Sequence, residues 1–373
     1  MDSQTCHLTI TTSTATAVAH TLLLLIQDDP TNPCSKIEAA NEIRRLTKTS
    51  QRCRRQFSAA IKPLVSMLRS SSPEANEAAL LALLNLAVKD ETNKITIVEA
   101  GALEPIVGFL QSDNSTMQEH AAAALVTLSA SPVKKSAVGA SGVIPFLLKI
   151  INHGSPQAKM DAIVALSNLS TEPDNLSLIL QSHPIPTLTN ILKTCKKSSK
   201  ISERCISLLE TLVDYEEGRV SLTSEDGGIL AVVEVLESGT HQSREHAVGT
   251  LLTMCQIDRG KYREPILKEG VIPGLLELTV QGTPNSRTKA HTLLRLLRES
   301  PYRRTELEAD TLEDILSNII SQIDGDEQSG NAKKMLADMV QVSMEQSLRH
   351  LQERAFVCTP CDLPICASEV SLK

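Results

Sequence analysis

The sequence contains no Trp, and aromatic residues make up 2% of its 373 positions. A core of that composition has to be built from Leu, Ile, Val and Ala. Such a core suits helices that approach closely through small side chains and does not suit an antiparallel β fold. Long apolar runs are missing too. Near the N-terminus the longest is Leu22–Ile26, and no Lys or Arg precedes Lys36, so neither a secretory signal nor a membrane span is expected. There is no basic excess. The 37 Lys and Arg against 44 Asp and Glu leave a formal charge of −7, which argues against a general nucleic-acid binder, whose phosphate contacts need a basic face.

The nine cysteines are scattered and odd in number, unlike the framework of a disulfide-stapled secreted domain. A reducing compartment, cytoplasm or nucleus, is expected. Cys358, Cys361 and Cys366 in the tail supply three thiols where a structural zinc needs four ligands, so no metal is expected there. The chain also has no Gly-rich phosphate loop, no His-Glu-x-x-His and no Gly-x-Ser-x-Gly. No catalytic residues, no cofactor and no small-molecule substrate are therefore expected.

What the sequence does have is repetition. Gln118–Ser129 (QEHAAAALVTLS) returns at Arg244–Cys255 (REHAVGTLLTMC), a separation of 126 residues, or three periods of 42. Intermediate and flanking copies stand at Glu38–Leu46, Glu77–Leu86, Asp161–Leu169, Arg204–Leu212 and Lys289–Leu297. A second landmark keeps the same period: a small residue leading into an apolar segment, in segments starting at positions 59, 101, 142, 183, 227 and 270. Two series sharing one period define a stack of units, each packing on its neighbours and so escaping the size limit of a single core.

Each unit reads as a short helix, a turn, a middle helix with Ile, Leu and Val at helical spacing, a polar turn, and a long Ala/Leu helix. Ser or Asp before most long helices, and Glu near their starts, are helix-start signals. Residues 1–15 read as a loose leader, and Thr16–Gln27 and Ser35–Thr47 as two helices of an atypical first unit. In one unit Lys193–Lys200 (KTCKKSSK) lengthens the turn and places four lysines there. Beyond residue 300 the repeat stops. Helices over Thr311–Ile323 and Ala332–Arg354, flanking an acidic break, are expected to cap the far end within 301–354, followed by a loose tail, 355–373.

The unit Gly-hydrophobic-Ile/Leu-Pro, a polar turn and Glu-x-Ala-x-x-Ala-Leu-x-x-Leu at about 42 residues resembles the armadillo repeat. The span Arg287–Arg298 (RTKAHTLLRLLR) is similar to the closing repeat of plant armadillo proteins related to the U-box ubiquitin ligases. The resemblance covers roughly residues 16–300. It implies an all-α fold, a right-handed α-solenoid of about six to seven three-helix repeats with helical end caps, whose third helices line a groove for protein segments. No U-box is expected, because neither the leader nor the tail can hold the seventy or so residues that domain needs. Function is then expected to be that of a non-enzymatic scaffold for protein partners, or of an adaptor among ubiquitin-pathway proteins.

Aligning the long helices puts Arg45, Asn85, Thr127, Asn168, Thr211, Thr253 and Leu296 at one equivalent position. In armadillo proteins resembling importin-α or β-catenin, an Asn at this site hydrogen-bonds the backbone of an extended peptide, and a Trp one turn earlier supplies pockets for basic side chains. Here the earlier position holds Leu81, Ala123, Val164, Ser207, Gly249 and Thr292. Without an aromatic shelf no cation–π pocket forms, so reading of nuclear signals of the importin kind is not expected. For the six polar residues from Arg45 to Thr253, two roles stay open at this level: a ladder facing a bound segment, or hydrogen bonds between helices inside the stack.

Overall fold

The computed structural model describes residues 20–26 and 33–298, and every regular element among them is helical. A first helix, α1 (residues 20–26), buries Leu22 and Ile26, and α2 (Pro33–Thr47) buries Ala39, Ala40 and Ile43. Six three-helix units follow. They are α3 (Gln51–Gln56), α4 (Ile61–Met67) and α5 (Pro73–Ala87); α6 (Glu91–Glu99), α7 (Leu103–Leu110) and α8 (Ser115–Ser129); α9 (Lys135–Ala140), α10 (Val143–His153) and α11 (Pro156–Leu169). Then come α12 (Pro173–Gln181), α13 (Pro184–Thr194) and α14 (Lys200–Leu212); α15 (Glu216–Ser224), α16 (Gly228–Ser238) and α17 (His241–Ile257); α18 (Arg259–Lys268), α19 (Ile272–Gln281) and α20 (Pro284–Arg298). The expected leader 1–15, the helices within 301–354 and the tail 355–373 lie outside the described residues.

The long third helices stack in one file, α2 on α5, α5 on α8, and so on to α20, while the second helices from α7 to α19 form a parallel file. One continuous core runs through both. Its third-helix positions are small or medium, such as Ala82, Ala124, Ala165 and Leu208, all buried, which is what lets successive helices approach closely.

Start signals in the sequence work as chemistry. Ser72, Asn114, Ser155, Ser199, Thr240 and Thr283 accept hydrogen bonds from backbone N–H groups of the first turns of α5, α8, α11, α14, α17 and α20. Three of these caps also reach backwards. The hydroxyls of Ser155, Thr240 and Thr283 donate to Glu119 (2.5 Å), Glu203 (3.1 Å) and Glu245 (2.6 Å), each on the preceding third helix. The glutamates near these helix starts therefore serve the next unit's cap as well as their own helix dipole.

The turn before five of the six second helices, α7 to α19, uses a left-handed residue. Gly101, Gly142, Gly227 and Gly270 hold φ of 83°, 77°, 62° and 74°, and His183 takes the same place at φ 52°. A side chain with Cβ is disfavoured in that region by about 1 kcal/mol or more. Five residues separate α13 from α14, against two between α10 and α11, but five also separate α4 from α5, so the length of this turn is not peculiar to its unit. Its lysines are mostly paired, Lys193 with Glu225 (3.4 Å), Lys197 with Glu234 (2.9 Å) and Lys200 with Glu203 (3.0 Å).

His183→Gly is expected to stabilise the protein by about 1 kcal/mol through relief of the left-handed strain. Gly142→Ala, at a site where an added Cβ meets nothing within 4 Å, should cost a similar amount through φ alone. Urea denaturation followed by circular dichroism measures both, and a His183→Gly protein less stable than the parent would contradict the assignment.

Candidate partner-binding face

The equivalent position on the third helices falls on one line down the file. Asn85, Thr127, Asn168, Thr211 and Thr253 are all half-buried there, and Arg45 at the N-terminal end is exposed and paired to Glu42. The asparagines are already engaged. Asn85 Nδ2 donates to the Arg44 carbonyl at 2.9 Å, and Asn168 Nδ2 donates to the Val126 carbonyl at 3.2 Å and to Ser129 Oγ at 3.1 Å. In each case the acceptor carbonyl lies one residue before the equivalent position on the preceding third helix. Thr127 and Thr211 donate into their own helix, to Ala123 at 3.3 Å and Ser207 at 3.4 Å.

So the two roles left open by the sequence are not exclusive. The asparagines brace neighbouring units through their N–H groups, while their Oδ1 atoms have no hydrogen-bond donor among the described residues. One turn earlier, Leu81, Ala123 and Val164 are half-buried aliphatics that make a shallow apolar strip beside Asn85, Thr127 and Asn168. That segment of the face offers apolar contact and hydrogen-bond acceptors in alternation.

Towards the C-terminal units the face changes character, through a group that sequence reasoning did not single out. Glu210 on α14 pairs with His246 Nδ1 on α17 at 2.6 Å and with Lys289 Nζ on α20 at 2.9 Å. One carboxylate thus ties three successive units. The strap passes over Gly249, where a Cβ would lie 1.8 Å from Glu210 Oε1 and 2.8 Å from Lys289 Nζ. A glycine in a helix interior, which local propensity disfavours, was the signal available in the sequence. Burial pushes the Glu210 carboxyl up, but the hydrogen bonds from His246 and Lys289 outweigh it and hold the group below the usual carboxylate range. One unit back, on α11, burial raises the Asp161 carboxyl, with the nearby Glu119 charge adding to the effect.

The stack, its caps and its file of third helices can be set beside known proteins. The family model for the plant U-box protein ARM repeat region matches residues 27–315. The chain belongs to that family. Among its relatives, U-box domain-containing protein 17 of Arabidopsis thaliana is 34% identical over 283 residues, covering 64% of this chain and 38% of the relative. U-box domain-containing protein 45 of the same plant is 29% identical over 248 residues, covering 66% and 31%. This chain therefore spans about a third of the length of these relatives. Among solved structures, an engineered protein superposes with a TM-score of 0.68 at 18% identity, covering 85% of this chain and 80% of that one. A computationally designed armadillo repeat protein for modular peptide recognition gives 0.50 at 16% identity, covering 75% and 99%. At such identities the likeness concerns the fold, an armadillo solenoid.

Among the described residues no group of three or more His, Cys, Asp or Glu side chains is arranged to hold a metal, and no helix is long and apolar enough to cross a membrane. Cys358, Cys361 and Cys366 lie outside the described residues.

Two measurements follow from this geometry. Asn85→Ala/Asn168→Ala should lower stability by about 1–3 kcal/mol, because two bridges between units are lost at roughly 0.5–1.5 kcal/mol each. An unchanged denaturation midpoint would show that these bridges do not form. Glu210, depressed in the folded state, contributes stability that is full above its unfolded pKa of about 4.3 and is lost as pH falls through the lower folded value. Between about pH 5 and pH 3, Glu210→Gln should therefore lose less stability than the parent protein. Equal losses in denaturant titrations at the two pH values would remove the strap.

Proposed function

We propose that this chain is a non-enzymatic scaffold that holds an extended segment of a protein partner along its file of third helices. The observation that carries the reading is the line of Asn85, Thr127 and Asn168, half-buried and evenly repeated, beside Leu81, Ala123 and Val164. Hydrogen-bonding groups repeated along a groove match an extended backbone, and adjacent small aliphatic positions accept alternate side chains. Arg45, Thr211 and Thr253 continue the line, with the Glu210 strap narrowing the choice of side chains near Gly249. No cofactor, metal or nucleic acid enters this reading.

A second reading is supported by family membership: the relatives are U-box domain-containing proteins, and a chain carrying their repeat region would act as an adaptor or regulator among ubiquitin-pathway proteins. The reducing compartment proposed for either role, cytoplasm or nucleus, is consistent with the free buried thiols of Cys205 and Cys255, each pushed upward chiefly by burial.

The test uses the purified chain as affinity bait with comparative mass spectrometry. Ala123→Arg and Val164→Arg block the strip without touching the asparagine bridges, so both should melt like the parent while losing the proteins the parent retains. Retention of the same partners by both variants would overturn the groove reading. Mixed with ubiquitin, ATP, activating enzyme and conjugating enzyme, the chain alone should build no polyubiquitin, and robust chain formation would overturn its non-enzymatic assignment.

A further inference from the structure

The last unit turns a different surface outward from all those before it. Five residues ahead of the ladder position, Leu80, Ile163, Ile206 and Val248 are completely buried, yet α20 has an exposed His291 there. Two residues after it, Val213 and Cys255 are buried and α20 has an exposed Arg298. Burial that the last unit loses must come from the following unit in the earlier ones, so these positions mark the face that looks along the stack. Arg287 and Arg295 complete the same stripe, at helical spacings of four, four and three, about 16 Å long.

None of the four side chains has a carboxylate partner among the described residues, whereas Arg45, Arg69, Lys134, Lys197 and Arg244 all do. The unit from Arg259 to Arg298 carries eight Lys or Arg against three Asp or Glu, in a chain of net charge −7. On the adjoining α19, Leu276 is 53% exposed where its counterpart Val233 on α16 is 2% exposed, and Val280, one turn on, is 71% exposed. The end face therefore joins a cationic stripe to an apolar pair.

We infer that this end face of α19 and α20, in place of the cap expected from residues 301–354, docks an acidic amphipathic helix of a protein partner, its apolar seam on Leu276 and Val280 and its carboxylates on Arg287, His291, Arg295 and Arg298. Guanidinium groups offer forked donors to carboxylates, and the flanking apolar pair has no use in binding a phosphate backbone. No aromatic side chain stands in the stripe to stack on bases, which argues for a protein occupant over a nucleic acid. The inference is independent of the groove, since it uses neither the ladder nor the strip beside it.

Fluorescence anisotropy tests it with the full chain and a labelled synthetic helix of about 20 residues, with Leu at i and i+4 and Glu on either side of that seam. The comparators are the same peptide with Lys for Glu, and a single-stranded DNA of similar length. Saturable binding of the acidic peptide is expected, weakening from about 50 to about 300 mM salt. Arg287→Glu/Arg295→Glu should weaken it roughly tenfold or more, and Leu276→Ser/Val280→Ser should also weaken it, with thermal melts matching the parent. No binding of the acidic peptide, binding indifferent to charge reversal, or preference for the Lys peptide or the DNA would overturn the proposal.

Discussion

A third helix of this chain cannot bury its apolar face within its own unit. Ala82, Ala124 and Ala165 are buried because the next third helix lies close against them, and those alanines allow the approach. Everything else in the structure serves that stacking. Six caps fix where each long helix begins, and the left-handed residues before the second helices set the direction of return.

Close stacking brings polar backbone ends of one unit against the side of the next, and these groups must find partners. The chain meets the demand with side chains from neighbouring units. Glu119, Glu203 and Glu245 accept from the next unit's cap hydroxyls, and Asn85 and Asn168 donate to carbonyls of the previous third helix. On the opposite side Asn93 Nδ2 donates to the Arg54 carbonyl at 3.2 Å and Asn175 Nδ2 to the Lys135 carbonyl at 2.9 Å. Stability and the proposed binding face therefore share residues, so substitutions on the ladder would be expected to act on both.

The face is not uniform along the stack. Near Asn85 to Asn168 it has half-buried Leu81, Ala123 and Val164, while near Gly249 it has the Glu210 strap. A segment held there as proposed would meet aliphatic contacts at one end and fixed charges at the other. The outward face of α20, whose cations have no carboxylate partner among the described residues, differs again from both.

The 42-residue period, the helical class, the cap residues and the alignment of the ladder were legible in the sequence, because each rests on spacing within one unit and on the local chemistry of turns. Even His183 could be placed, standing where other units have glycine. Tertiary structure alone decided the contacts between units. Glu210, His246 and Lys289 lie up to 79 residues apart and meet because three successive helices converge over Gly249. The asparagine side chains found carbonyls one unit back for the same reason. Local spacing tells which residues share a helix face, but the approach of one helix to another depends on how the whole file packs, and that is what chose their partners.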